Sequence, residues 1–230
     1  MGLDIYVMPL NQFFSGDYTS PLEAAFGAKA HRVGSQKGAA PAAEAIESVS
    51  KLQDALKEIF GLASVWDDSG ETKGEQFDYG AFNALRAFAA HQEYPRMTGV
   101  FRKKPIDFNP YDDSSAHPGL LKIWKGAKTR FRHLIQHADN QGFWFPVDFE
   151  HPINLNQKTG LFAGSSIRLL SELNELRSII GLTKSWTDLA DDETVADESD
   201  PMATIKYACA LMFAYADLSC ERRLPIVFDG

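Results

Sequence analysis

Apolar positions along this chain recur with two periods. Three short runs rich in β-branched and aromatic residues read as strands: Leu3-Asp4-Ile5-Tyr6-Val7-Met8, Phe143-Trp144-Phe145-Pro146-Val147-Asp148-Phe149 and Leu224-Pro225-Ile226-Val227-Phe228. A lone strand leaves its amides and carbonyls unpaired, so the three pair most economically with each other, which draws both termini to one sheet. Pro146 and Pro225 cannot donate to a ladder, and they mark edge strands, strand ends or bulges.

Helical spacing fills the intervals. Ser20-Pro21 offers a capping hydroxyl and a proline for the first turn of a short helix that ends before Gly27. From Pro41 to Phe60, Ile46, Val49, Leu52, Leu56, Ile59 and Phe60 form one stripe, with Gly61 as its C-terminal cap. Further helices run from about Gln76 to Glu93, from Gly119 to Asn140 and from Ser166 to Ile180. The last, Pro201 to Arg222, is apolar nearly all round and belongs at the centre of the fold. Asn11–Tyr18 reads as a turn, and His31–Ala40 and Asp148–Gly164 read as loops. Long loops are expected near 61–75, 94–118 and 185–200. The pattern predicts one mainly helical α+β domain over residues 1–230, with a small sheet made by both termini and residues 143–149.

Composition sets the class. At 44% hydrophobic and 23% charged residues, the 230-residue chain has material for a substantial core. It holds no apolar run of about eighteen residues, so no membrane span or membrane partner is expected. The first residues lack a basic segment followed by an apolar one, so no signal peptide is expected. Cys209 and Cys220 lie eleven residues apart in one helical run, about 16 Å, which is beyond disulfide reach. Two buried thiols point to a cytoplasmic protein.

Charge changes the picture further. The net charge is −8, yet residues 96–137 carry nine Lys/Arg against three Asp, a net of +6, so the remainder carries −14. Within the helix expected from Gly119, Leu120, Trp124, Phe131, Leu134 and Ile135 line one face, while Lys122, Lys125, Lys128, Arg130 and Arg132 line another. Such a face would suit an acidic protein or a phosphate-bearing ligand, although a solvated face balancing acidic neighbours is commoner. The overall −8 argues against general nucleic-acid binding.

On the same helix His133 and His137 stand four residues apart, a spacing used by helical zinc sites, and Asp148, Glu150 and His151 follow as further ligands. No cofactor is expected, and zinc or another divalent metal is the alternative this pattern leaves open. His-Leu-Ile-Gln-His lacks the glutamate of a zinc protease, and two exposed histidines beside repelling arginines are the plainer reading. Asp4, Asp148 and Asp229 each lie in or beside a strand run, so a formed sheet could gather them, though exposure or helix capping is their usual fate. The acidic run Asp188, Asp191, Asp192, Glu193, Asp197, Glu198 and Asp200 lacks EF-hand spacing and reads as a solvated segment or a surface for basic groups. No nucleophile elbow, phosphate-cradling glycine loop, dinucleotide fingerprint or Cys-x-x-Cys is present.

Met1-Gly2-Leu3-Asp4-Ile5-Tyr6, Gly164-Ser165-Ser166-Ile167-Arg168-Leu169-Leu170 and Leu224-Pro225-Ile226-Val227-Phe228-Asp229-Gly230 resemble a loose group of uncharacterised bacterial proteins. The resemblance implies no activity and assigns no site. Missing catalytic motifs and segregated charge lead to a non-enzymatic binding protein as the expected function, of immunity-like or regulatory type, with a protein partner. The alternative is a metal-dependent hydrolase built on His133 and His137.

Overall fold

The computed structural model describes residues 2–27, 41–61, 65–98, 103–105, 108–109, 116–137, 142–156, 161–183, 185, 187 and 202–229. The first strand β1 (Gly2–Val7) is followed by helices α1 (Leu10–Ser15), α2 (Pro21–Phe26) and α3 (Ala42–Phe60). Next come β2 (Lys73–Asp78), α4 (Tyr79–Glu93), β3 (Arg96–Thr98), β4 (Lys103–Pro105), α5 (Pro118–Trp124), α6 (Arg132–Ile135), β5 (Phe143–Phe145), β6 (Ile153–Asn156) and β7 (Leu161–Ser165). Helices α7 (Ser166–Ile179) and α8 (Ala203–Arg222) precede the last strand, β8 (Ile226–Asp229).

Six strands form one mixed sheet in the order β2-β1-β8-β5-β7-β6, and β3 and β4 form a separate pair. The sheet expected from the termini and residues 143–149 is present: β8 lies between β1 and β5, antiparallel to both. It has three strands more than expected. β2 falls where a loop and a helix start were read, and β6 and β7 fall in the stretch read as loop from Asp148 to Gly164. Pro146 and Pro225 sit just outside β5 and β8, where no ladder amide is needed.

The sheet separates two apolar layers. Leu3, Ile5, Val7, Trp144, Ile226 and Phe228 face α4, α7 and α8, and the expected central role of α8 holds, since Ile205, Cys209, Leu211, Met212 and Tyr215 are buried there. Tyr6, Met8, Phe143, Phe145 and Val227 face the opposite layer, where Val49 and Leu56 of α3 join Trp66 and Phe149. The alternation of strand side chains produces this division directly.

Several local readings need correction. Leu10–Ser15 is a helix closed by Gly16 in the left-handed region, where a turn was expected. Ile46 and Ile59, assigned to the buried stripe of α3, are 59% and 57% exposed. Each flanks the narrower stripe of Ala45, Val49 and Leu56. Cys209 is buried, but Cys220 is only half-buried. Burial pushes their thiols up to about 12 and about 11. The segment from His31 to Ala40 lies outside the described residues, as does the acidic run from Asp188 to Asp200.

Candidate functional site: a buried histidine node and an acidic sheet end

The helix expected from Gly119 to Asn140 is broken. α5 stops at Trp124, Gly126 takes φ 100° and helix resumes for only four residues at Arg132. A left-handed glycine ends the first segment, and the hydroxyl of Thr129 then accepts the Phe131 amide at 3.0 Å. His137 lies beyond the C-cap of α6, so it no longer shares a helix face with His133. The i, i+4 geometry that would have set both imidazoles on one helix face is lost with the helix.

Both rings are also in use elsewhere. His133 is 1% exposed; its Nδ1 accepts the Ser165 amide at 2.9 Å, which assigns the proton to Nε2, facing the Glu150 carbonyl at 3.3 Å. His137 is 2% exposed and stacks on Trp144 with centroids 3.6 Å apart, its Nε2 bonded to the Phe143 carbonyl at 3.0 Å. Asp148 is held by Arg168, and Glu150 by Arg132 at 2.8 Å with the exposed His151 alongside. The five residues expected to gather round a metal therefore do not converge. Among the described residues, no group of three or more His, Cys, Asp or Glu is placed to hold one.

The group that organises this region is Glu172 of α7, to which no sequence reading assigned a role. Its two oxygens accept the backbone amides of His133 and Leu134, each at 2.9 Å, and so satisfy the free N-terminal donors of α6. Burial pushes its carboxyl up to about 8, against the pull of those amides and of Arg132. Burial also holds His133 down to about 4. The signs are opposite. Stability tied to neutral Glu172 is complete below about pH 4.5 and is lost as pH rises towards 8. Stability tied to neutral His133 is present above about 6.5 and is lost as pH falls towards 4. Glu172→Gln keeps the size and one acceptor but cannot ionise. The stability of wild type relative to this variant should therefore fall by roughly 3 kcal/mol between pH 5 and 8 in urea titrations. A constant difference across that range would refute the assignment.

Of the basic residues, Arg130 is engaged with Glu175 at 3.1 Å and Arg132 with Glu150. The two guanidiniums best suited to grip a phosphate are thus committed to carboxylates. Lys122, Lys125 and Lys128 stay exposed and form no ion pair among the described residues.

Acidic groups are concentrated elsewhere. Asp4 and Asp229 face each other across β1 and β8, while Asp148 stays with Arg168, so two of the three strand aspartates come together. Like charges directly opposite one another repel. Here two tyrosines hold them in place. The Tyr6 hydroxyl donates to Asp4 at 3.0 Å and the Tyr18 hydroxyl donates to Asp229 at 2.7 Å. The two rings meet edge to face at 5.1 Å. Burial, reinforced by Asp4, raises the Tyr6 phenol well above its ordinary value, so it remains a donor. Asp17 is exposed beside Tyr18, and Asp78 lies at the same sheet end, paired in register with Gly2, where it caps α4. Tyr6 was visible to a period-two reading, two residues from Asp4. Tyr18 carried no local signal.

A second acidic feature lies on α3, where Glu44, Glu47, Asp54 and Glu58 are exposed on one face over about 21 Å. Its charge is partly cancelled, because Lys51 pairs with Glu47 at 2.6 Å and Lys57 with Asp54 at 3.3 Å.

A family model described as "Putative DNA-mimic protein" matches residues 1–228, and the chain belongs to that family. Comparisons with curated proteins and with solved structures return no match. The family assignment overturns both functional expectations, the immunity-like or regulatory factor and the metal-dependent hydrolase. The histidine geometry separately removes the helical His133–His137 pair on which the hydrolase expectation was built. No helix among the described residues is long and apolar enough to cross a membrane.

Proposed function

We propose that this chain is a DNA mimic: it occupies the nucleic-acid site of a DNA-binding protein by presenting carboxylates in place of backbone phosphates. The observation that carries the reading is the family match over nearly the whole chain. The charge distribution supports it, since the −14 outside residues 96–137 is a large surplus for a chain of this size. The sheet end supports it locally. DNA presents a rigid row of close-set negative charge, and Asp4 and Asp229 form a close-set pair whose tyrosine donors limit their freedom. The two unpaired thiols support cytoplasmic action, and the proposed partner is a protein carrying lysines and arginines where it would meet phosphate.

The test is capture from a native-host lysate on the immobilised chain, followed by elution with duplex DNA at constant salt. DNA-binding proteins should be retained and released by the duplex. Retention should fall about tenfold or more between 0.05 and 0.2 M salt, as for a ligand that neutralises several cations. Captured proteins that stay bound in excess duplex would refute the mimicry.

A further inference from the structure

The acidic sheet end and the exposed lysines lie at opposite ends of α4. Asp78, in register with the first residue of β1, caps its N-terminus. At its other end Glu93 accepts the Thr129 hydroxyl and the Arg130 amide, next to Lys128. The 15 residues between span about 22 Å. That exceeds the Debye length of about 8 Å at physiological ionic strength, so the two charged regions cannot neutralise each other within one molecule.

The lysine region is not purely polar. Trp124 is 46% exposed beside Lys122 and Lys125, and Leu121 is exposed on the same short helix. The Lys122 ammonium lies 4.2 Å from the centre of the Tyr94 ring. Ammonium groups without an ion pair among the described residues, set beside exposed apolar surface, are what a DNA-binding protein offers to its ligand.

We infer that the exposed lysines at and just beyond the end of α5, Lys122, Lys125 and Lys128, dock the acidic sheet end of a second copy of this chain, so that molecules associate head to tail. The inference rests on the proposed mimicry: a surface that attracts the lysines of a DNA-binding partner also attracts these. The contact is heterologous, so each added copy leaves one acidic and one basic surface open until the rotation between copies closes a ring. Salt decides between attraction and repulsion. Each molecule carries −8, and two molecules in contact have centres roughly 40 Å apart. At about 0.1 M salt the screening length of about 10 Å hides that net repulsion, while groups in contact still attract. At about 0.01 M it grows to about 30 Å and the repulsion returns. At about 1 M it shrinks to about 3 Å and the contact itself is lost.

Sedimentation velocity at these three salt concentrations tests this, using wild type and the exposed triple variant Lys122→Glu/Lys125→Glu/Lys128→Glu, with circular dichroism to confirm its fold. Wild-type average mass should rise with protein concentration at about 0.1 M and fall on either side. The triple variant should remain monomeric alone and, when mixed in, should shorten wild-type assemblies. A wild type that stays monomeric at about 0.1 M overturns the inference, as does a variant that associates equally well. So does a labelled DNA duplex that binds wild type and not the variant, which would assign the lysines to nucleic acid. Loss of self-association with DNA-displaceable capture intact removes only this inference. Loss of that capture with self-association intact removes the mimicry and leaves the docking.

Discussion

A chain truncated after Arg223 should fail to fold. The missing strand, β8, lies third in the six-stranded order, so its loss splits the sheet into β2-β1 and β5-β7-β6. Ile226, Val227 and Phe228 are all buried, and a fully buried side chain of this size contributes about 1.5–3 kcal/mol. Further ties go with it: Met8 donates its amide to the Pro225 carbonyl at 3.1 Å, and Ser219 donates its hydroxyl to the Leu224 carbonyl at 2.6 Å. Together these approach the whole stability of an ordinary domain, about 5–15 kcal/mol. The truncated chain should show no cooperative thermal transition and no near-ultraviolet dichroism. A cooperative melt close to that of the full chain would mean that the two halves of the sheet do not depend on each other.

Trp144→Ala should be the most damaging single substitution in the core, costing about 3–5 kcal/mol by urea titration. The indole is fully buried, donates to the His133 carbonyl at 2.8 Å, stacks on His137 and meets Phe228 edge-on at 4.8 Å. It therefore joins the central sheet to the histidine node, and its removal opens a large cavity and leaves a buried carbonyl without its donor. Gly164 fits against this ring so closely that an added Cβ would overlap the indole. Gly164→Val should give a loss of the same order through overpacking. A loss below about 1 kcal/mol for Trp144→Ala would show that the node tolerates collapse and does not organise the region.

The three strands found in the sequence share one property: each buries side chains on both faces or nearly so, and the apolar residues are dense. β2 has one buried side chain, Phe77, in Lys73-Gly-Glu-Gln-Phe-Asp, because it is an edge strand. β6 alternates Ile153 and Leu155 with asparagines over only four residues, too short a pattern to separate from a loop. The helix from Gly119 to Asn140 was misread because apolar spacing continues through its break. The one local warning was Gly126, and a glycine inside a helical pattern is often tolerated.

The site was less legible for a related reason. Histidine is ordinarily half-exposed, so nothing in His-Leu-Ile-Gln-His reported that both rings are buried and hydrogen-bonded to backbone. The shared sheet implied that Asp4 and Asp229 would be near one another, but only the strand register places them face to face. Glu172 resembles any acidic residue on an amphipathic helix, and its role depends on a helix N-terminus about forty residues earlier in the chain. Charge segregation was readable at once. Its meaning was not, because a surplus of acid is equally consistent with a solvated surface until a family supplies the reason.

Competition measures that meaning most directly. A captured DNA-binding partner, purified and mixed with its fluorescently labelled duplex, is titrated with this chain while anisotropy is followed. Mimicry predicts full release of the duplex, with an apparent affinity for the chain that weakens in proportion as more duplex is added. A ternary complex, in which the chain binds the partner and the duplex stays bound, would contradict it.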